Sequence, residues 1–91
     1  MKVIYKGEIK RVPDMAELSL LQHHMTKVYK LSPNLTQLDG RRLKMYYIDE
    51  DGDVITIDCQ SDFDEATTNT HIKIKIALAL SVQEAKQMLI E

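Results

Sequence analysis

Tyr46-Tyr47-Ile48-Asp49-Glu50-Asp51-Gly52-Asp53-Val54-Ile55-Thr56-Ile57 is the stretch that decides how this chain is read. Ahead of the turn, Leu43, Met45 and Tyr47 alternate with Lys44, Tyr46 and Ile48. Beyond it, Ile55, Ile57 and Cys59 alternate with Val54, Thr56 and Asp58. A period of two puts one set of side chains in and the other out, so the stretch is a strand, a tight turn and a second strand. Asp51-Gly52 marks the turn, because Gly accepts the positive φ of a two-residue hairpin loop and Asp tolerates it. Cys59 falls on the apolar side of this pattern and is expected as a small core residue. A turn needs only one or two polar residues, yet residues 49–53 hold four carboxylates, with Asp58, Asp62, Asp64 and Glu65 soon after. Self-repulsion on that scale makes sense where a cationic partner relieves it.

Toward the N-terminus, Lys2 to Lys6 reads as a strand with Val3 and Tyr5 on one face, and Ile9 to Val12 as a second, joined by a tight turn at Gly7-Glu8. Pro13-Asp14 breaks the hairpin. Asp14 and Glu17 then stand at capping-box spacing for a helix over residues 15–30, with Leu18, Leu21, Met25, Val28 and Tyr29 on one face. Residues 31–42 form a loop containing a short turn. Toward the C-terminus, Ser61 caps a short helix through Asp62, Phe63, Asp64, Glu65 and Ala66. His71 to Leu80 is a strand with Ile72, Ile74, Ile76, Leu78 and Leu80 on one side, and its length without Gly or Pro suits a central position. Ser81 and Glu84 form another capping box, opening a helix from Val82 with Val82, Ala85, Met88 and Leu89 on one side.

This order of elements points to the α+β class in its ubiquitin-like β-grasp form: a mixed sheet of about five strands backed by one main helix, with a short second helix and a C-terminal helix. Ninety-one residues make one domain with a modest core. With 44% hydrophobic and 29% charged residues the composition is globular. No apolar run approaches the roughly 20 residues of a membrane span, and the start is too short and charged for a signal peptide, so a cytoplasmic protein is expected. A single cysteine rules out an internal disulfide framework and a multi-cysteine zinc site.

The net charge of −2 conceals an asymmetry. Residues 1–45 carry nine Lys and Arg against four Asp and Glu, whereas residues 46–91 carry three against ten. A chain divided in this way suits an electrically two-sided molecule and an interaction role.

The turn 47–56 followed by Ser61-Asp62-Phe63-Asp64-Glu65-Ala66 resembles the OPCA acidic motif of the Phox-and-Bem-one (PB-one) domains, and Lys2 to Arg11 resembles the basic first hairpin of that family. The resemblance covers residues 2 to about 80, giving an interaction domain over 1–80 and a C-terminal helical extension over 81–91. It implies a non-enzymatic, cofactor-free protein–protein module for signalling or scaffold assembly, docking an acidic face of one domain onto a basic face of another, front to back. By position, the acidic group is Asp49, Glu50, Asp51, Asp53, Asp62 and Glu65, and the basic group is Lys2, Lys10 and Arg11. Both faces together imply heterodimers with another PB-one-type domain or a head-to-tail homo-oligomer. The second strand carries Lys10-Arg11 where many basic-faced members have two arginines, and lysine cannot grip a carboxylate in the bidentate way.

Plainer readings stand beside these. Acidic residues favour a helix N-terminus, which accounts for Asp64 and Glu65, and strand lysines blunt a sheet edge against aggregation. Arg41-Arg42 is loop surface or an extension of the basic patch. Asp49-x-Asp51-x-Asp53 starts like an EF-hand loop, but Val54 and Gln60 occupy the positions that need Gly and Glu. His23 and His24, being adjacent, point different ways on a helix and form no metal pair. A nucleic-acid role calls for a basic domain, and the pI here is near 5.9. The rival functions are a ubiquitin-like adaptor that binds through an apolar sheet surface and, less favoured, an ion-binding domain.

Overall fold

The computed structural model describes residues 1–68 and 74–90. Its strands are β1 (Lys2–Tyr5), β2 (Glu8–Arg11), β3 (Lys44–Ile48), β4 (Val54–Ile57) and β5 (Lys75–Ala79). The helices are α1 (Leu18–Val28), α2 (Gln60–Thr68) and α3 (Val82–Ile90), with a 3-10 turn at Pro33–Leu35. The sheet runs β2-β1-β5-β3-β4. β5 pairs parallel with β1 and antiparallel with β3, so the sheet is mixed, with its last strand at the centre. This is the expected ubiquitin-like α+β arrangement. The part of the long C-terminal strand expected at His71, Ile72 and Lys73 lies outside the described residues.

Alternation along β5 divides the molecule into two packed layers. Ile76 and Leu78 point to one side, where they join Val3, Leu21, Met25, Met45 and Phe63 in the main core under α1 and α2. Ala77 and Ala79 point to the other, where with Tyr46 they receive Ala85 of α3. Three alanines at this second contact let helix and sheet approach closely, and Met88 and Leu89 extend the packing. The C-terminal helix therefore covers the β5, β3 and β4 part of that sheet face and leaves Ile9 of β2 exposed beside it.

Several local expectations shift. The first hairpin turns on Lys6 (φ 49°) and Gly7 (φ 78°), one residue earlier than expected, because Tyr5 pairs with Glu8. Two successive positive φ values are the geometry of a two-residue hairpin loop. α1 starts at Leu18, not residue 15, and Glu17 precedes it in extended conformation with no side-chain cap bond. Asp14 instead takes the α-amino group of Met1 at 2.9 Å, while the Leu18 N–H is met by Gln60 Oε1 at 2.7 Å. A distant glutamine replaces the local cap. Ser61 lies inside the first turn of α2, not at its cap.

Cys59 is exposed rather than core. β4 ends at Ile57, and the chain is already turning into α2, whose Phe63 N–H donates to the Cys59 carbonyl at 3.1 Å. The alternation that placed Cys59 inside does not survive the end of the strand. Val82, expected on the packed side of α3, is also exposed at 49%, since Ala85 is the contact that sets the helix orientation.

Candidate functional site

The acidic loop joins Ile48 to its partner Val54. The Asp49 N–H donates to the Asp53 carbonyl at 3.0 Å, and the Gly52 N–H to the Asp49 carbonyl at 3.1 Å, with Gly52 at φ 84°. The tip is thus the three residues Glu50-Asp51-Gly52, with glycine in the left-handed position, rather than a two-residue turn. Asp49 is internal to this architecture: its Oδ1 accepts from the N–H of Asp51 at 3.0 Å and of Asp53 at 2.9 Å. The loop is held from within by one carboxylate and presents Glu50, Asp51 and Asp53, all exposed.

α2 brings the rest of the acidic group to the same place. Asp62 Oδ2 accepts the Asp58 N–H at 3.0 Å across the strand-to-helix turn, which fixes that carboxylate at the helix start. The shared neighbourhood is visible at Tyr47, whose phenol pKa is pushed up, first by burial and then by the charges of Glu65, Asp49 and Asp62. Charges carried by both loop and helix therefore act on one hydroxyl. Asp49, Asp51 and Asp53 bring one oxygen each within 4.8 Å of one another. Two of Asp49's interactions there are already committed to the loop backbone, and the other two side chains point to solvent. Such a cluster can accept several charge-assisted hydrogen bonds from lysine or arginine heads at once.

The basic residues are split by the pleat. Lys2 stands opposite both Arg11 and Lys75, so Arg11, Lys2 and Lys75 form a row across β2, β1 and β5. That row lies on the α3 side, the side of Ile4 and Ala77. Lys10 stands opposite Val3, which is in the main core, and so belongs to the α1 side. There its ammonium lies 3.3 Å from Glu8 and 5.6 Å from the centre of the Tyr29 ring. Lys75 was missed by sequence reasoning. Its place in the row depends on the parallel β1–β5 register, which no local pattern reveals.

β2 and β4 are the two outer strands of the five, roughly 20 Å apart at about 4.8 Å per strand. That exceeds the Debye length of about 8 Å at physiological salt, so the cationic and anionic edges do not neutralise each other within one molecule.

A five-stranded mixed sheet with α1 across one face, a hairpin carrying Lys2, Lys10 and Arg11 at one edge and the acidic hairpin at the other define a ubiquitin-like α+β fold. The family model of the PB1 domain matches residues 1–85, and the chain belongs to that family. PB1 domains are protein–protein interaction modules, not a known enzyme family. No curated protein and no solved structure matches the chain.

Proposed function

We propose that this domain docks through charge, its acidic loop and α2 receiving the basic edge of another PB1 domain, and its own basic edge engaging an acidic one. The observation that supports this reading is that β2, which carries Lys10 and Arg11, and β4, which leaves the acidic loop, are the two outer strands of one sheet. A contact between unlike edges is heterologous, so it does not close on itself, and copies bearing both edges string head to tail. A partner with a single active edge ends the string and gives a heterodimer.

Energetically, one exposed ion pair contributes about 0.2–1 kcal/mol. Affinity therefore comes from several pairs losing water together, and close interfacial charge pairs reach about 1.5–7 kcal/mol of coupling. The crowding of Asp49, Glu50, Asp51 and Asp53 with Asp62 and Glu65 supports such a collective contact.

Molar mass by light scattering over a concentration series tests the reading. Growth beyond a dimer at low salt that collapses in high salt supports two active edges. Asp51→Lys and Lys10→Glu should each silence one edge without unfolding the domain, and an equimolar mixture of the two should give a 1:1 dimer. Pairing that is indifferent to salt and to both substitutions would sink the assignment.

A further inference from the structure

Residues 37–41 repeat the turn of the acidic loop. The Gln37 N–H donates to the Arg41 carbonyl at 2.9 Å and the Gly40 N–H to the Gln37 carbonyl at 2.9 Å, with Gly40 at φ 87°. Position for position these are the bonds from Asp49 to Asp53 and from Gly52 to Asp49. The cargo differs: where the acidic loop carries Glu50 at its tip, this one carries Leu38, 97% exposed.

A single exposed leucine is ordinary on a protein surface. Leu38 is set apart by its mounting and its surroundings. Asp39 ties the tip down, accepting from the Arg41 N–H at 3.0 Å and Nε at 2.8 Å, with a further guanidinium contact at 2.7 Å. Below, the buried Gln37 donates through Nε2 to the Tyr5 hydroxyl at 3.0 Å. A backbone turn braced in this way has little conformational freedom left to lose when a partner covers its tip.

The charges around it are net positive: Arg41, Arg42 and Lys6 against Asp39, which pairs with Arg41, and Glu84, whose charge reaches Arg41. Arg41 is in the turn, and Arg42 follows it, bridging to Thr36. The Arg41 hydrogen bonds, and further off the charge of Lys6, hold the Asp39 carboxyl below its usual range. Tyr5 meets Tyr29 edge to face at 5.1 Å, and Lys10 lies over Tyr29. Leu38 is thus joined through Gln37, Tyr5 and Tyr29 to the basic residue on the α1 side of the sheet.

We propose that Leu38 is an apolar anchor of the basic docking face, seated beside the carboxylates of an acidic-faced partner domain, an inference that rests on the charge-docking reading above. Ion pairs supply encounter rate and orientation, while a desolvated apolar contact ringed by polar groups supplies residence time. On a second copy the apolar surface beside the acidic loop is the half-buried Ile48–Val54 pair, at the rim of the α3 contact where Val54 also packs, and that pair is the seat for it.

The test uses the two single-edge chains. Leu38→Ser placed in the Asp51→Lys chain, which contributes the basic edge, is expected to weaken the mixed dimer roughly ten- to a hundredfold, the range for burying one leucine. The same substitution in the Lys10→Glu chain, which contributes the acidic edge, should leave affinity unchanged, and Leu38→Ile in the first chain should retain most of it. The melting midpoint should not move, because the side chain has no packing to lose. Equal effects in both chains, or none in either, overturn the anchor while leaving charge docking in place. If the single-edge chains do not pair at all, both readings fall.

Discussion

The Leu18 N–H donates to Gln60 Oε1 at 2.7 Å, so the first turn of α1 is closed by the first residue of α2 from 42 positions away. The amide nitrogen of Gln60 donates in turn to the Ala16 carbonyl at 2.9 Å and to Asp64 Oδ1 at 2.8 Å. One side chain locks the acidic helix to the main helix and occupies Asp64 while doing so. Gln60→Ala is expected to cost about 1–2 kcal/mol, the scale of a lost helix cap with its partners left unpaired. Urea unfolding followed by circular dichroism measures it, and an unchanged midpoint would mean that water replaces the lock.

The acidic loop contains two kinds of aspartate. Asp49 accepts two backbone N–H groups, so Asp49→Ala should lower stability by about 1–2 kcal/mol as well as weaken docking. Asp51 is exposed, and Asp51→Ala should weaken docking with stability unchanged to within about 0.5 kcal/mol. Thermal melts and binding titrations of the two variants in parallel separate these outcomes.

Alkaline pH should loosen the fold. The phenols of Tyr29, Tyr46 and Tyr47 are all raised, each chiefly by burial, with Glu8 adding to the first, Asp58 and Glu84 to the second, and Glu65, Asp49 and Asp62 to the third. A raised acid favours the folded state while the unfolded phenol is still protonated. That stability is fully present below the unfolded tyrosine value, about 10, and drains away as pH climbs through the higher folded values. Denaturant midpoints at pH 9 and at pH 11 should show the fall, and Tyr47→Phe should reduce it.

The exposed Cys59 should react with a disulfide reagent in the folded protein, to completion and without added denaturant. A thiol that reacts only on unfolding would return it to the core.

The contrast between Tyr47 and Cys59 shows how far the sequence could be read. Within β3 and β4, strict alternation correctly placed Met45, Tyr47 and Ile57 inward, and the element order led to the sheet and its central last strand. Alternation carries no signal for where a strand stops, so the same logic misplaced Cys59 just past Ile57. The capping box at Asp14 failed for a related reason: spacing identifies residues able to cap, and the long-range reach of Gln60 decided the matter. The acidic group was legible because it is nearly continuous in sequence. The row Arg11, Lys2 and Lys75 was not, since it is assembled by strand register, and register put Lys10 on the opposite face.

The central place of β5 also governs when the molecule can form. Each hairpin is local, β1 with β2 and β3 with β4, but the strand that joins them comes last. A chain still emerging from the ribosome and delivered only through residue 73 holds two ribbons with an empty lane between them, and two-stranded ribbons alone are marginal in water. Such a truncated product should be digested rapidly by protease, whereas a chain extended through α3 should resist. The charged edges therefore stand on opposite sides of a finished sheet only after synthesis has passed the strand that separates them, so the proposed head-to-tail pairing has to wait until the domain is whole.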